Sequence, residues 1–151
     1  MAITTAMCTS VNGELLSATH DFDASGGNSF KLSLYAIGSG GKSSTTATLG
    51  AATTAFTTTG EVGSSGSYVT GGTALTNVNP ATSGTTGYTD FADHSYTTAT
   101  ITARGALIYN DTNGDKAVCA LDFGGNKTST AGTFTIAFPA AAASTAIIRI
   151  A

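Results

Sequence analysis

The side chains able to do chemistry are few, and each group needs geometry that its sequence neighbourhood withholds. Gly38-Ser39-Gly40-Gly41-Lys42-Ser43 follows a strand-like run and ends in Gly-Lys-Ser, as a phosphate-binding loop does. That loop also requires a glycine at position 36 and a helix directly behind it, so that backbone N–H groups cradle the phosphates. Position 36 is Ala36, and Ser-Thr-Thr-Ala-Thr-Leu-Gly follows, a poor helix. The segment is expected to be a turn.

Asp111, Asn113 and Asp115 have the alternating oxygen spacing that opens a calcium loop. A helix-loop-helix site then needs glycine sixth and glutamate twelfth, where Lys116 and Asp122 stand. A hairpin tip is the expectation. His94 lies beside Asp90, Asp93 and Ser95, and His20 beside Asp21 and Asp23. A hydrolase needs a nucleophile and an oriented base, which proximity in sequence does not supply. Neither a Gly-x-Ser-x-Gly elbow nor a His-Glu-x-x-His is present. Both histidine groups are expected to be solvated loop residues, with no catalytic site. The two cysteines and two histidines are too widely separated for a zinc pattern, so no metal and no cofactor is expected. Asn110-Asp111-Thr112 and Asn126-Lys127-Thr128 match the glycosylation triplet but read as polar turns.

Composition narrows the function further. The chain has 151 residues, suited to one domain with one core, and 41% of them are hydrophobic. Charged residues make up 10%, against about a quarter in ordinary soluble domains. The 29 Thr and 15 Ser fill the gap, and Thr fits a pleated, half-buried surface. Six basic residues against nine acidic ones, for a net charge of -3, cannot build a nucleic-acid footprint. A hydroxyl-rich, weakly charged surface is suited to packing against neighbouring subunits. Met1-Ala-Ile-Thr-Thr-Ala6 shows no basic region or apolar run, so a chain made in the cytoplasm without a secretory leader is expected. No stretch approaches the roughly 18 apolar residues of a membrane helix. Cys8 and Cys119 are expected to be buried free thiols.

The elements that must position these residues are mostly strands. Residues 1–20 form an N-terminal helical segment, because Ile3, Met7, Val11 and Leu15 recur at i, i+4 and Ala18 continues the stripe. Gly13 costs that helix about 1 kcal/mol relative to Ala. Phe30 to Ile37 is a strand, with Phe30, Leu32, Leu34 and Ala36 on one face. Residues 38–90 form a loop-rich middle: 47–60 an extended edge or loop, Tyr68-Val69-Thr70 at most a short strand, and 73–78 weakly alternating. Pro80 argues against a central strand there, and 81–89 is expected to be a flexible loop. Residues 99–151 are regular. Ala99 to Asn110 is a long strand, Asp111 to Asp115 a hairpin turn carrying Asn-Gly, and Ala117 to Phe123 the next strand. Gly124-Gly125-Asn126 turns the chain again. Phe134, Ile136 and Phe138 face inward on a further strand, and Ala146 to Ile150 is the last. The fold class is mainly β: an antiparallel β-sandwich or jelly-roll-like single domain, residues 1–151, with a short N-terminal helix.

Five segments carry a resemblance: Met1–Ser10, Ala99–Asn110, Leu121–Gly125, Gly132–Pro139 and Ile147–Ala151. Together they resemble small virion structural proteins of tailed bacteriophages, while 38–90 contributes nothing. The resemblance implies a non-enzymatic particle component found in the virion. Within that class a capsid cement or decoration protein fits best, binding the major capsid protein and copies of itself, with a trimer among the expected assemblies. No functional residue is carried over. Neither nucleic acid, membrane nor small-molecule substrate is an expected partner. A neck, tail or fibre-associated protein is the nearest alternative. A carbohydrate-binding attachment module would need exposed aromatics, for which Tyr68, Tyr88, Phe91 and Tyr96 are the candidates. An enzyme would need a deep pocket gathering Asp90, Asp93 and His94.

Overall fold

Between Ala99 and Asn110 almost every residue is apolar or small, so a strand there can be buried on both of its faces. The computed structural model describes residues 2–38 and 47–151, and most of the Gly38–Ser43 segment lies outside the described residues. Its central strand is β6 (His94–Asn110), which begins before the expected start and pairs antiparallel with β7 (Lys116–Ile136) and β2 (Phe30–Tyr35). Leu107 and Ile108, on opposite faces of β6, are both fully buried, as are Leu34 and Tyr35 on β2. The Asn113-Gly114 turn joins β6 to β7 as expected, with Gly114 at φ +69° and Asp115 at +56°.

Two short strands, β1 (Ala6–Met7) and β3 (Thr73–Ala74), complete a sheet of order β1-β7-β6-β2-β3. A smaller antiparallel sheet holds β4 (Asn77–Ser83), β5 (Thr86–Phe91) and β8 (Ile148–Ile150) in the order β4-β5-β8. The two share a core. Phe30 on β2 lies 5.7 Å, centroid to centroid, from Phe91 on β5, and Phe22 stacks on Phe30 at 4.5 Å. The architecture is therefore mainly β and sandwich-like, with one short helix among the described residues, α1 (Ser10–Leu16).

The helical expectation for 3–19 fails over its first part. Ile3 forms a parallel bridge with Leu49, β1 pairs with β7, and the Cys8 N–H donates to Val118 O at 2.9 Å. Short helices are marginal in water, and the open edge of β7 offers the backbone better partners. Ile3 and Val11 are buried nonetheless, so the stripe marked the core without marking a helix. Ala18 leaves helical conformation at φ +54°.

Residues 81–89 are not a loop. β4 and β5 form a hairpin whose tip carries Gly84 at φ +59°, the first central position where a tight hairpin turn requires glycine. Pro80 sits inside β4, where a bulge between Val78 and Ala81 and an outer-edge position remove the need for its N–H. Gly124-Gly125-Asn126 does not reverse the chain either. The ladder runs from Gly105↔Asp122 to Ala103↔Lys127, so Arg104 faces the whole of 123–126 across a wide bulge. Asp122 holds that bulge, accepting from Arg104 Nε at 2.8 Å and from Gly124 N at 3.0 Å. Phe138 lies beyond the end of β7, and β8 is shorter than the expected 146–150.

Gly105 shows how tightly the centre is packed. A Cβ there would lie 2.8 Å from Ile3 Cγ2 and closer still to the carbonyl of Leu121. Gly105→Ala is expected to destabilise the fold by about 1–3 kcal/mol through overpacking, read from denaturant midpoints at unchanged m-value.

Candidate functional site

Asp90, Asp93 and His94 are neighbours in sequence but turn to separate tasks. Asp90 is 1% exposed and accepts from Phe91 N at 2.8 Å and Ile147 N at 3.2 Å. Burial raises its pKa, a rise that these two backbone bonds oppose. Asp93 accepts from Phe138 N at 2.8 Å. His94 Nε2 meets Thr73 Oγ1 at 3.0 Å, its ring stands edge-on to Tyr96, and burial lowers its pKa. No acid-base set is assembled from the three.

His20 departs from the solvated loop residue expected of it. It is 6% exposed, with Nε2 2.8 Å from Glu14 Oε2 and Nδ1 2.9 Å from Asn110 Nδ2. Glu14 also accepts from Lys116 Nζ at 3.1 Å. Its burial would raise the carboxyl pKa, but the hydrogen bonds and charges of His20 and Lys116 hold it below the ordinary range. Asn110, fully buried, ties the hairpin tip to the loop before β2 through Thr19 O and Asn28 Oδ1, while its Oδ1 accepts from Thr112 N and Asn113 N.

These contacts also decide the calcium-like loop. Asp111 pairs with Lys31 at 2.8 Å, and the Asn113 amide donates to Thr19 O and Asn28 Oδ1. Among the described residues no three His, Cys, Asp or Glu side chains gather as a metal-holding group.

A second polar cluster had no warning in the sequence beyond a lone acid in a Gly/Thr-rich stretch. Glu61 is fully buried, and its Oε1 accepts from Tyr68 OH at 3.1 Å and from Gly71 N. Tyr68 OH in turn accepts from Leu34 N at 3.0 Å, and Tyr109 OH donates to Gly71 O. Burial pushes the Tyr109 and Tyr96 hydroxyls up to about 12, and those of Tyr35 and Tyr68 further. Of the four aromatic candidates for glycan contact, Tyr68, Phe91 and Tyr96 are buried, and Tyr88 alone is half-exposed.

Tyr88 lines an open groove of about 530 Å³ between the end of α1 and the small sheet, with Leu15, Phe22, Pro80, Ile148 and Ile150. His20 and Asp21 touch its wall, but both ring nitrogens of His20 are already engaged.

A long surface is formed by the ribbon of 94–103 with 127–136. Its inner face is buried through Ala99, Ile101, Phe134 and Ile136. Its outer face is a field of hydroxyls in mutual contact: Ser95–Thr135 at 2.9 Å and Thr102–Thr128 at 3.3 Å. Thr100 Oγ1 accepts from Ala131 N at 3.0 Å. Thr98 and Ala131, both at positive φ, mark bulges that twist the ribbon. Lys127 is its one charged side chain between 123 and 136. Such a face can make many shallow, directional contacts.

No helix among the described residues is long and apolar enough to cross a membrane. A scan of protein-family models and comparisons with curated proteins and solved structures found no match.

Glu14 carries a pH dependence. Because its folded pKa lies below the unfolded one, its contribution is present above the ordinary carboxylate range and lost as pH falls through the folded value. Glu14→Gln is expected to lower stability at pH 7 by up to about 1 kcal/mol and to flatten the acid limb. Denaturant melts from pH 7 to 3 measure both.

The two thiols are free and buried. The register sets Cys119 opposite Met7 and Cys8 beside Val118, so they project to opposite faces of the sheet. Burial raises Cys8 to about 11 and Cys119 beyond that. Neither thiol is expected to react with a chromogenic disulfide reagent at pH 8 until denaturant unfolds the chain; rapid labelling of the native protein would contradict this burial.

Proposed function

We propose that this chain is a non-enzymatic structural component of a phage particle, acting as a capsid cement or decoration protein through protein–protein contacts. The observation that carries the proposal is the ribbon: an extended, hydroxyl-rich face on strands whose other side is locked into the core. A face of this kind binds by area and shape, and copy number multiplies a modest interface on a symmetric lattice. The resemblance of five segments to small virion proteins supplies the biological setting. The titratable side chains described above point the same way, since their partners are groups of the fold itself.

A carbohydrate-binding role loses its stacking platform, because three of its four candidate aromatics lie in the core. A neck, tail or fibre location stays the competing assignment within the particle. Mass-spectrometric copy counting on purified virions, with cryo-EM localisation, tests the proposal. Hundreds of copies on the head are expected, following the scale of a capsid lattice. A count in the tens or fewer, or density on the tail, would overturn the capsid role.

A further inference from the structure

Among the described residues most sheet edges are short or interrupted, and one of them stays long and uncovered. β1 and β3 have two residues each, too short to template a strand. β8 has three and carries Arg149, and β4 is interrupted by Pro80 and its bulge. These are the usual protections against edge-to-edge pairing. β7 carries Lys127 and bulges at 123–126 and Ala131, yet it is the longest strand and the one whose edge is least covered. β1 covers it only at Cys119 and Ala120, and Thr5 Oγ1 takes the N–H of Asp122. From Phe123 to Ile136 its outer edge has no ladder partner among the described residues. On the other side of the ribbon, β6 is closed by the loop that bonds Ser67 to Thr97 and Ser65 to Thr100. The open edge also runs beside a groove of about 410 Å³ walled by Phe123, Phe134 and Ile136.

From this geometry we infer that the edge 123–136 of β7 pairs antiparallel with the same edge of a second copy, forming a twofold dimer with a sheet continuous across it. An unpaired strand edge takes another strand, and alternate side chains of the incoming strand enter the adjacent groove. A second copy fits for three reasons. Antiparallel pairing of like edges is isologous and closes at two, so it does not propagate. The edge carries Lys127 and no acid, and a centred pairing sets the two Lys127 about 16 Å apart at about 3.3 Å per residue. That exceeds the Debye length of about 8 Å at physiological salt, so the lysines do not oppose the contact. The footprint, about 40 Å long and about 10 Å deep per copy, buries on the order of 800–900 Å² in total, within the range of weak, concentration-dependent association. The pairing rests on the edge alone and not on the particle assignment; a tail location would leave it untouched, and its failure would leave the capsid proposal standing.

Sedimentation of the full chain over a dilution series, paired with hydrogen–deuterium exchange at its two extremes, tests the inference. A monomer–dimer equilibrium is expected, with amides between 123 and 136 exchanging more slowly at high concentration and those of β4 unchanged. Thr130→Lys with Thr133→Lys should weaken the dimer at least tenfold, whereas Thr82→Lys on β4 should not. A monomer at every concentration with invariant exchange would overturn the pairing. So would a trimer, or a dimer whose protection lies elsewhere. If the double variant does not fold, the exchange pattern of the unsubstituted protein decides by itself.

Discussion

The pairing of β6 with β7 is the constraint from which the remaining structure follows. It runs from His94↔Ile136 to Asn110↔Lys116, most of the length of both strands. At the hairpin end it is buried on both faces, and this is possible because small residues alternate with large ones. Ala103, Ala106, Ala117 and Ala120 are fully buried in one core with Ile3, Val11 and the β2 side chains. Gly105 extends this to the limit, its missing side chain replaced by Ile3. At the far end one face opens to solvent, and the same two strands become the hydroxyl-bearing ribbon. One ladder thus serves as core at one end and as display surface at the other.

Polar groups reinforce this arrangement from two sides. Around the hairpin tip, Asn110 and His20 bind the turn to the loop that precedes β2, with Glu14 and Lys116 closing the outside. On the other face, Glu61 and Tyr68 fix the long middle loop against β2 through Leu34 N. A buried polar group must find partners or impose a desolvation cost of several kcal/mol. Each of these therefore specifies which loop lies where, in a region with little regular structure. Asp90, Asp93, His20 and Glu14 thereby hold loops and strand ends in place.

How much of this could be read in advance depends on whether a signal was local. The strand at Phe30, the long strand ending at Asn110 and the Asn113-Gly114 hairpin follow from alternation and turn chemistry, which the backbone reads within a few residues. The N-terminal stripe was misread because i, i+4 burial arises equally from a strand, a bridge and one helical turn that all touch the same sheet. Gly84 was a hairpin signal hidden in a Thr/Ser-rich stretch, and Gly124-Gly125 shows that glycine pairs serve bulges as well as turns. The ribbon face was half legible: the Thr-rich alternation from 97 to 102 was visible, but its junction with 128–135 depended on a strand passing through glycines without turning. The Glu61 cluster was not legible, because its partners lie on three separate segments.

Bulges give the ribbon its final character. A long two-stranded ribbon with a flat hydroxyl face would be free to slip in register, since Thr opposite Thr looks alike at every step. The bulges at Thr98, Ala131 and 123–126 remove that freedom by fixing unequal lengths of chain against each other. The Arg104–Asp122 pair sits at the widest of them, and its value lies in that location rather than in its Coulomb energy, since half-exposed ion pairs contribute little. Register is thereby set by backbone geometry instead of by side-chain identity. Few outward side chains are then needed to hold the register, Thr100 at the Ala131 bulge and Asp122 at the widest one among them, and the rest of the surface can remain small and weakly charged.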